Sequence, residues 1–216
     1  MSSVRERVVE GPGSLGARAR SRRWEGFERA FPDCGGMRVI DLGGTVETWL
    51  RAPVRPERVH VVNLERSNAS CPPWITVDRA DACELPAAIR ASEYDLVFSN
   101  SVIEHVGGHD RRSRFADAVH ALAPRHWVQT PYRYFPVEPH FLFPGLQYLP
   151  VAARARILSF WPLTHARPSD HATALRVALG VELLSRTEMR YYFPRSAVTA
   201  ERFGGLVKSL IAIKTA

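Results

Sequence analysis

Short apolar runs alternate along this chain with stretches in which apolar residues recur at helical spacing. The runs MRVIDL (37–42), VHVVNL (59–64), WITV (74–77), YDLVFSN (94–100) and HWVQT (126–130) each fit a strand of a buried parallel sheet. Ahead of them, Arg23–Phe31 places Trp24, Phe27 and Phe31 on one helical face, and Pro32 with Gly35–Gly36 ends it. Such a helix would cover the first strand or the cleft beside it. Val46–Leu50 is at most a short helix, because Pro53 and Pro56 stop it. Ser67–Pro73 is too rich in Ser, Asn and Pro for a long connecting helix. Leu85–Ser92 reads as a short helix, and Arg111–Leu122 as one turning Phe115, Val119 and Leu122 inward.

After residue 130 the alternation stops. Thr130–Pro150 is crowded with Pro and aromatic residues, which excludes both a central strand and a long helix. Val151–Phe160 and Asp170–Leu179 look helical and extend this stretch into a cap over about 131–180. Ala197–Phe203 and Leu206–Lys214 flank Gly204–Gly205 and predict a hairpin. Strands alternating with helices make this an α/β chain. Residues 1–22 read as a flexible basic segment and 23–216 as a single domain with the cap inserted.

Composition narrows the class. A chain of 216 residues, 45% hydrophobic, can bury the core of one α/β domain. No apolar run approaches the length of a membrane span, and the charged start lacks a secretory apolar region. Cys34, Cys71 and Cys83 are odd in number and lack metal-like spacing, so they read as reduced thiols of a cytoplasmic protein. Much of the net charge of +7 is arginine near the N-terminus: Arg5, Arg7, Arg18, Arg20, Arg22 and Arg23. Such a patch attracts polyanions, but no stacking platform is interleaved with it, so nucleic acid is the less favoured partner.

The candidate chemistry begins where the first run ends, at Asp41-Leu42-Gly43-Gly44. A strand, a glycine turn and a helix start form nucleotide sites at the carboxyl ends of open α/β sheets. About twenty residues on, the second run ends in Asn63 and Glu65, where such a fold places its ribose-binding group. The Gly-x-Gly-x-x-Gly spacing of nicotinamide sites is absent. Asp81-Ala82-x-x-Leu85-Pro86, followed by Asp95-Leu96-Val97-x-Ser99-x-x-x-x-Glu104-His105-Val106, resembles the class I S-adenosylmethionine-dependent methyltransferases of the type 11 group. Thr45 and Glu47 stand where that family has its later glycines. The resemblance implies a Rossmann-like seven-stranded sheet, mostly parallel, with a C-terminal antiparallel hairpin. It implies that Gly43, Gly44 and Thr45 pack against the methionine part of the cofactor. Asp41 would be structural or hold the methionine amino group, and Asn63 or Glu65 would bind the ribose. Asp81 would accept from the adenine amino group, with Ala82 supplying backbone. Ser99 and Asn100 would flank the sulfonium.

Methyl transfer also needs an aligned nucleophile and a place for its proton. Glu104–His105 follows the fourth strand, and Glu138-Pro139-His140 lies in the aromatic loop after the fifth. Together they suit a general base or a metal site. Ubiquinone-pathway O-methyltransferases and small-RNA 2′-O-methyltransferases carry Glu-x-x-Glu-His here and bind a divalent metal with it. Glu104, His105 and His140 match that pattern, with Ser101 in place of the first Glu. The resemblance therefore implies Mg²⁺ on these three residues, or His105 as base. Tyr132, Tyr134 and Glu138 are the residues expected to meet the acceptor. The aromatic loop and the ending ERFGGLVKSLIAIK resemble actinobacterial type 11 enzymes encoded near polysaccharide genes. That implies a sugar or oligosaccharide acceptor, a mannoside included. A quinone or phenol acceptor, a non-catalytic cofactor-binding subunit and a nucleic-acid-binding protein are the alternatives; a homodimer stays open.

Overall fold

The five apolar runs become parallel strands, and the three at the middle of the sheet are buried on both faces. The computed structural model describes residue 11 and residues 14–65, 71–164 and 168–216. The strands are β1 (Arg38–Leu42), β2 (Arg58–Asn63), β3 (Ile75–Arg79), β4 (Leu96–Asn100) and β5 (Arg125–Pro131). A separate two-stranded ribbon follows, β6 (Val137–Glu138) with β7 (Phe143–Pro144), and the chain ends in the hairpin β8 (Ala197–Phe203) and β9 (Leu206–Lys214). The main sheet has seven strands in the order β3-β2-β1-β4-β5-β9-β8. β1 lies parallel to β2 and to β4, while β9 runs antiparallel to β5. Strand order therefore reverses between β1 and β4, which opens a crevice at their carboxyl ends.

The helices are α1 (Leu15–Ala30), α2 (Val46–Leu50), α3 (Ala87–Arg90), α4 (His109–Leu122), α5 (Val151–Phe160), α6 (His171–Leu179) and α7 (Arg186–Tyr192). On one face of the sheet α1 and α2 bury an aromatic core. Trp24 lies flat on Phe98, with centroids 5.4 Å apart and planes 3° apart, and Phe27, Trp49 and Trp127 close round them. On the other face Phe115, Val119, Met189 and Phe193 pack over Leu42, Val97 and Val128. The stretch after β5 has its own small core, in which Phe141 and Leu146 meet α5 and α6 through Ala155, Leu158, Ala174 and Ala178. Among the described residues no helix is long and apolar enough to cross a membrane.

Two elements differ from the sequence reading. The helix placed at Arg23 begins at Leu15, so it takes in residues 15–22 as well. The Ser14 hydroxyl caps it by accepting from the Ala17 N–H at 3.0 Å, and the Ala/Arg alternation that follows consists of good helix formers. The rest of the expected flexible segment falls partly on residues 1–10, 12 and 13, outside the described residues. So does most of Ser67–Pro73, through residues 66–70. The second difference is α7, which the sequence reading lacked. Its signal was present as Ser185-x-x-Glu188, and both halves of that capping box form.

One buried histidine sets a pH limit on this fold. His126 is fully buried in β5, its Nε2 is 2.7 Å from the Ser196 hydroxyl, and His120 lies 5.4 Å away, ring to ring. Burial, then the charges of His120 and Lys214, push its pKa down to about 3. The unfolded imidazole takes its proton near 6.5, the folded one only near 3, so the unfolded state binds more protons between these values. The contribution of this group is therefore full above pH 6.5 and is lost as the pH drops toward 3. By pH 5 the loss from this group is about 2 kcal/mol. Between pH 7 and pH 5, urea unfolding should show the wild type losing about 2 kcal/mol relative to His126→Asn, whatever the other groups contribute to both. Equal pH dependence in the two proteins would acquit His126.

Candidate active site

The end of β1 is built as a braced turn. Asp41 is fully buried, and the Trp49 indole N–H donates to its Oδ2 at 2.7 Å. Its Oδ1 has no hydrogen-bond partner among the described residues, and burial pushes the carboxyl pKa up to about 7, against the pull of Trp49. A Cβ on Gly44 would overlap this carboxylate, and one on Gly43, whose φ is +80°, would overlap Val102. The two glycines are therefore fixed by what lies under them as much as by the turn. The Asn63 amide donates to the carbonyls of Gly43 (3.2 Å) and Gly44 (2.8 Å), and its Oδ1 accepts from the Glu65 N–H (3.1 Å). Asn63 is thus committed to the turn through its donor, while the carboxylate of Glu65 is exposed. Thr45 caps α2, its hydroxyl accepting from the Thr48 N–H at 3.3 Å.

A cavity of about 220 Å³ lies over the turn, walled by Gly43, Asn63, Asp81, Ala82, Ser101 and His105 among others. Asp81 points at it with its carboxylate already engaged by the Cys83 N–H (2.9 Å) and the Arg111 guanidinium. Burial opposes its ionisation, but Arg111 and Cys83 prevail and hold it below the usual carboxylate range. Arg111 is a cavity residue the sequence reading missed; nothing local distinguished it from the other charges of α4. Ser99 does not line this cavity. It is fully buried, and its hydroxyl donates to the Leu42 carbonyl at 2.9 Å, tying β4 to β1. Asn100 sits at the end of β4 and accepts from Arg23 of α1 at 3.0 Å.

At the rim, Glu104, His105 and His140 bring ligand atoms within 4.8 Å of one another, and no other described group of His, Cys, Asp or Glu does so. Glu104 is 1% exposed; Thr130 donates to its Oε2 at 2.9 Å, and its Oε1 has no hydrogen-bond partner among the described residues. Burial raises its carboxyl pKa, while His105 and His140 pull it back. The two imidazoles face each other with Nε2 atoms 3.0 Å apart. Each is held from behind through Nδ1, His105 by the Gly180 carbonyl at 3.0 Å and His140 by Glu138 Oε1 at 2.7 Å. Those partners are acceptors, so each Nδ1 carries a hydrogen and each Nε2 a lone pair. Two lone pairs at that distance repel unless a positive centre joins them, either a proton on one ring or a cation. The buried Glu104 carboxylate beside them suits either.

Glu138 lies buried behind His140. It is 2% exposed, and its second oxygen accepts from the Phe141 N–H at 2.8 Å. It holds His140 in one tautomer and orientation, as carboxylates do behind metal-binding and basic histidines. Ser101 stands at the end of β4 with φ +59°, and its hydroxyl donates to Gln129 Oε1 at 3.1 Å. Tyr132 is half-buried against the core, while Tyr134 is exposed and stacks on Tyr148, with centroids 6.4 Å apart.

No protein-family model matches this sequence, and no curated relative matches it. Solved structures do. An S-adenosylmethionine-dependent methyltransferase from Mesorhizobium loti superposes with a TM-score of 0.55 at 18% identity, covering 90% of this chain and 96% of that one. The N-terminal domain of EvdMO1, solved with SAH and D-fucose, gives 0.53 at 16% identity over 97% and 91%. The methyltransferase domain of bacterial CtHen1-CN gives 0.53 at 14% identity over 91% and 99%. At these identities the likeness is one of architecture, and with the sheet order above it shows that this chain has the Rossmann-like methyltransferase fold.

Proposed function

We propose that this protein is an S-adenosylmethionine-dependent O-methyltransferase acting on a hydroxyl of a sugar or oligosaccharide. The observation that carries the reading is the adjacency of the cavity over Gly43 and Asp81 to the Glu104–His105–His140 cluster, with His105 common to both. The cofactor would supply a sulfonium methyl group for in-line displacement. The glycine turn would receive its methionine part, Glu65 its ribose and Asp81 its adenine, with Arg111 sharing the Asp81 carboxylate. His105, exposed at the rim, would take the acceptor proton at Nε2. Glu104 would balance the charge so formed, and Glu138 would keep His140 aligned. A divalent cation would be held by Glu104, His105 and His140 and would lower the pKa of a coordinated hydroxyl. Two imidazole nitrogens with one carboxylate oxygen suit a first-row transition ion better than Mg²⁺, which prefers oxygen ligands.

The acceptor class draws on two supports. EvdMO1 was solved with a sugar, and the Tyr134–Tyr148 pair offers an exposed aromatic face on the cap stretch, 131–180, of the kind sugar rings stack upon. Among sugars we favour a mannoside of a bacterial polysaccharide. The test is calorimetric titration with S-adenosylmethionine and S-adenosylhomocysteine, followed by transfer of labelled methyl to manno-oligosaccharides with and without added Mn²⁺. Micromolar binding and a labelled carbohydrate are expected. Failure to bind either nucleotide would remove the enzyme reading altogether; binding without labelled sugar would remove the acceptor class alone.

A further inference from the structure

A second cavity lies away from the proposed methyl-transfer site, between α1 and the β8–β9 hairpin. It measures about 520 Å³. Among the described residues its walls carry six cations and a single carboxylate, Glu201. That carboxylate is already spent. Arg23 grips it through two parallel hydrogen bonds of 3.0 and 2.9 Å, and uses its remaining nitrogen on Asn100. Lys208 is left over, and the backbone explains why it is there. The hairpin pairs Glu201 with Ser209 but Arg202 with Val207, so Lys208 is the extra residue of a β-bulge. Bulges re-aim side chains, and this one turns Lys208 into the cavity. There it is half-buried, and its ammonium makes no hydrogen bond or ion pair among the described residues. Burial, and then Arg23 and Arg20, lower its pKa, with Glu201 opposing them. A lysine with no task would extend its stem and carry the charge to open water.

We infer that this cavity is an oxyanion site for a small phosphorylated molecule, with Lys208 as its central donor and Arg18, Arg22 and Arg202 round its mouth. Phosphate oxygens are the acceptors that charged donors of this kind bind most strongly. A pocket of this size holds a phosphate with a sugar ring, whereas a nucleic acid strand needs a groove with stacking faces. The inference does not rest on the methyltransferase reading, since the assay needs neither cofactor nor acceptor.

The experiment is calorimetric titration of the full chain, at low salt, with inorganic phosphate and separately with mannose 6-phosphate. Saturable one-site binding is expected, weakened about tenfold or more by Lys208→Met and no more than about threefold by Lys208→Arg. Arg195→Gln, an exposed change outside the cavity, should leave it unchanged. Lys208→Met should fold normally, because it removes a poorly solvated charge, and its thermal midpoint checks this. Tighter binding of the sugar phosphate than of phosphate would place the ring in the cavity as well. Equal binding would confine recognition to the phosphate; both results uphold the site. No saturable binding of either probe would overturn it. So would binding that Lys208→Met leaves intact, or that Arg195→Gln weakens equally, since that is diffuse attraction to a basic surface.

Discussion

Glu104→Gln should lower methyl transfer by about 10²- to 10⁴-fold while nucleotide affinity stays within about threefold. The carboxylate lies beside both imidazoles, whose Nε2 atoms are 3.0 Å apart. Glutamine keeps the shape and the acceptor for the Thr130 hydroxyl, but it cannot balance an imidazolium or serve as an anionic ligand. Because a buried, incompletely bonded charge is removed, the thermal midpoint should hold or rise. Lost activity with retained stability then reports chemistry rather than unfolding. Glu138→Gln should cost less, about 10- to 100-fold, because it acts through the orientation of His140. His105→Ala and His140→Ala complete the series. Activity that survives both histidine changes would move the reaction centre elsewhere, whatever the glutamate variants do.

The parts of this fold that were legible in the sequence are those fixed by local chemistry. Val46–Leu50 between a glycine turn and two prolines, and the hairpin about Gly204–Gly205, are written in their own residues. What sequence could not carry is direction. β4 is buried on both faces, so polarity does not alternate along it, and Ser99 and Asn100 looked equivalent. One turns inward to Leu42 and the other meets Arg23. Likewise Glu138 and His140 are two residues apart in a loop, where spacing says nothing of which faces the cleft. The bulge at Lys208 depends on how two strands slip past each other, and no residue in LVKSL announces it. Thirty-five residues and a strand separate the two histidines, so spacing could not pair them; their places after the adjacent fourth and fifth strands did.

Gly44→Ala should be the most damaging single methyl in the molecule. The new Cβ would overlap the Asp41 carboxylate, and neither group can yield. The Gly44 carbonyl is pinned by Asn63 at 2.8 Å and the carboxylate by Trp49 at 2.7 Å, inside a closed aromatic core. Overpacking against a fixed backbone and a buried polar group places the expected loss at about 3–5 kcal/mol, with nucleotide binding lost alongside. Asp41→Ala should partly rescue it. That change opens room for the methyl and removes a costly buried acid, at the expense of leaving the Trp49 N–H without its acceptor, about 1–3 kcal/mol. The double variant should therefore be more stable than Gly44→Ala alone, with a coupling of about 2 kcal/mol. Asp41→Asn separates the charge from the volume. Folded Asp41 titrates near 7 and unfolded near 3.8, so the folded state binds its proton more tightly, and wild-type stability falls as pH rises through that window. The asparagine keeps an acceptor for Trp49 and does not titrate, so its advantage over wild type should grow from pH 4 to about pH 7 and then level off. A pH-independent difference between the two would mean that the carboxylate is neutralised by something other than its own proton, and the steric account of Gly44 would then stand without the electrostatic one.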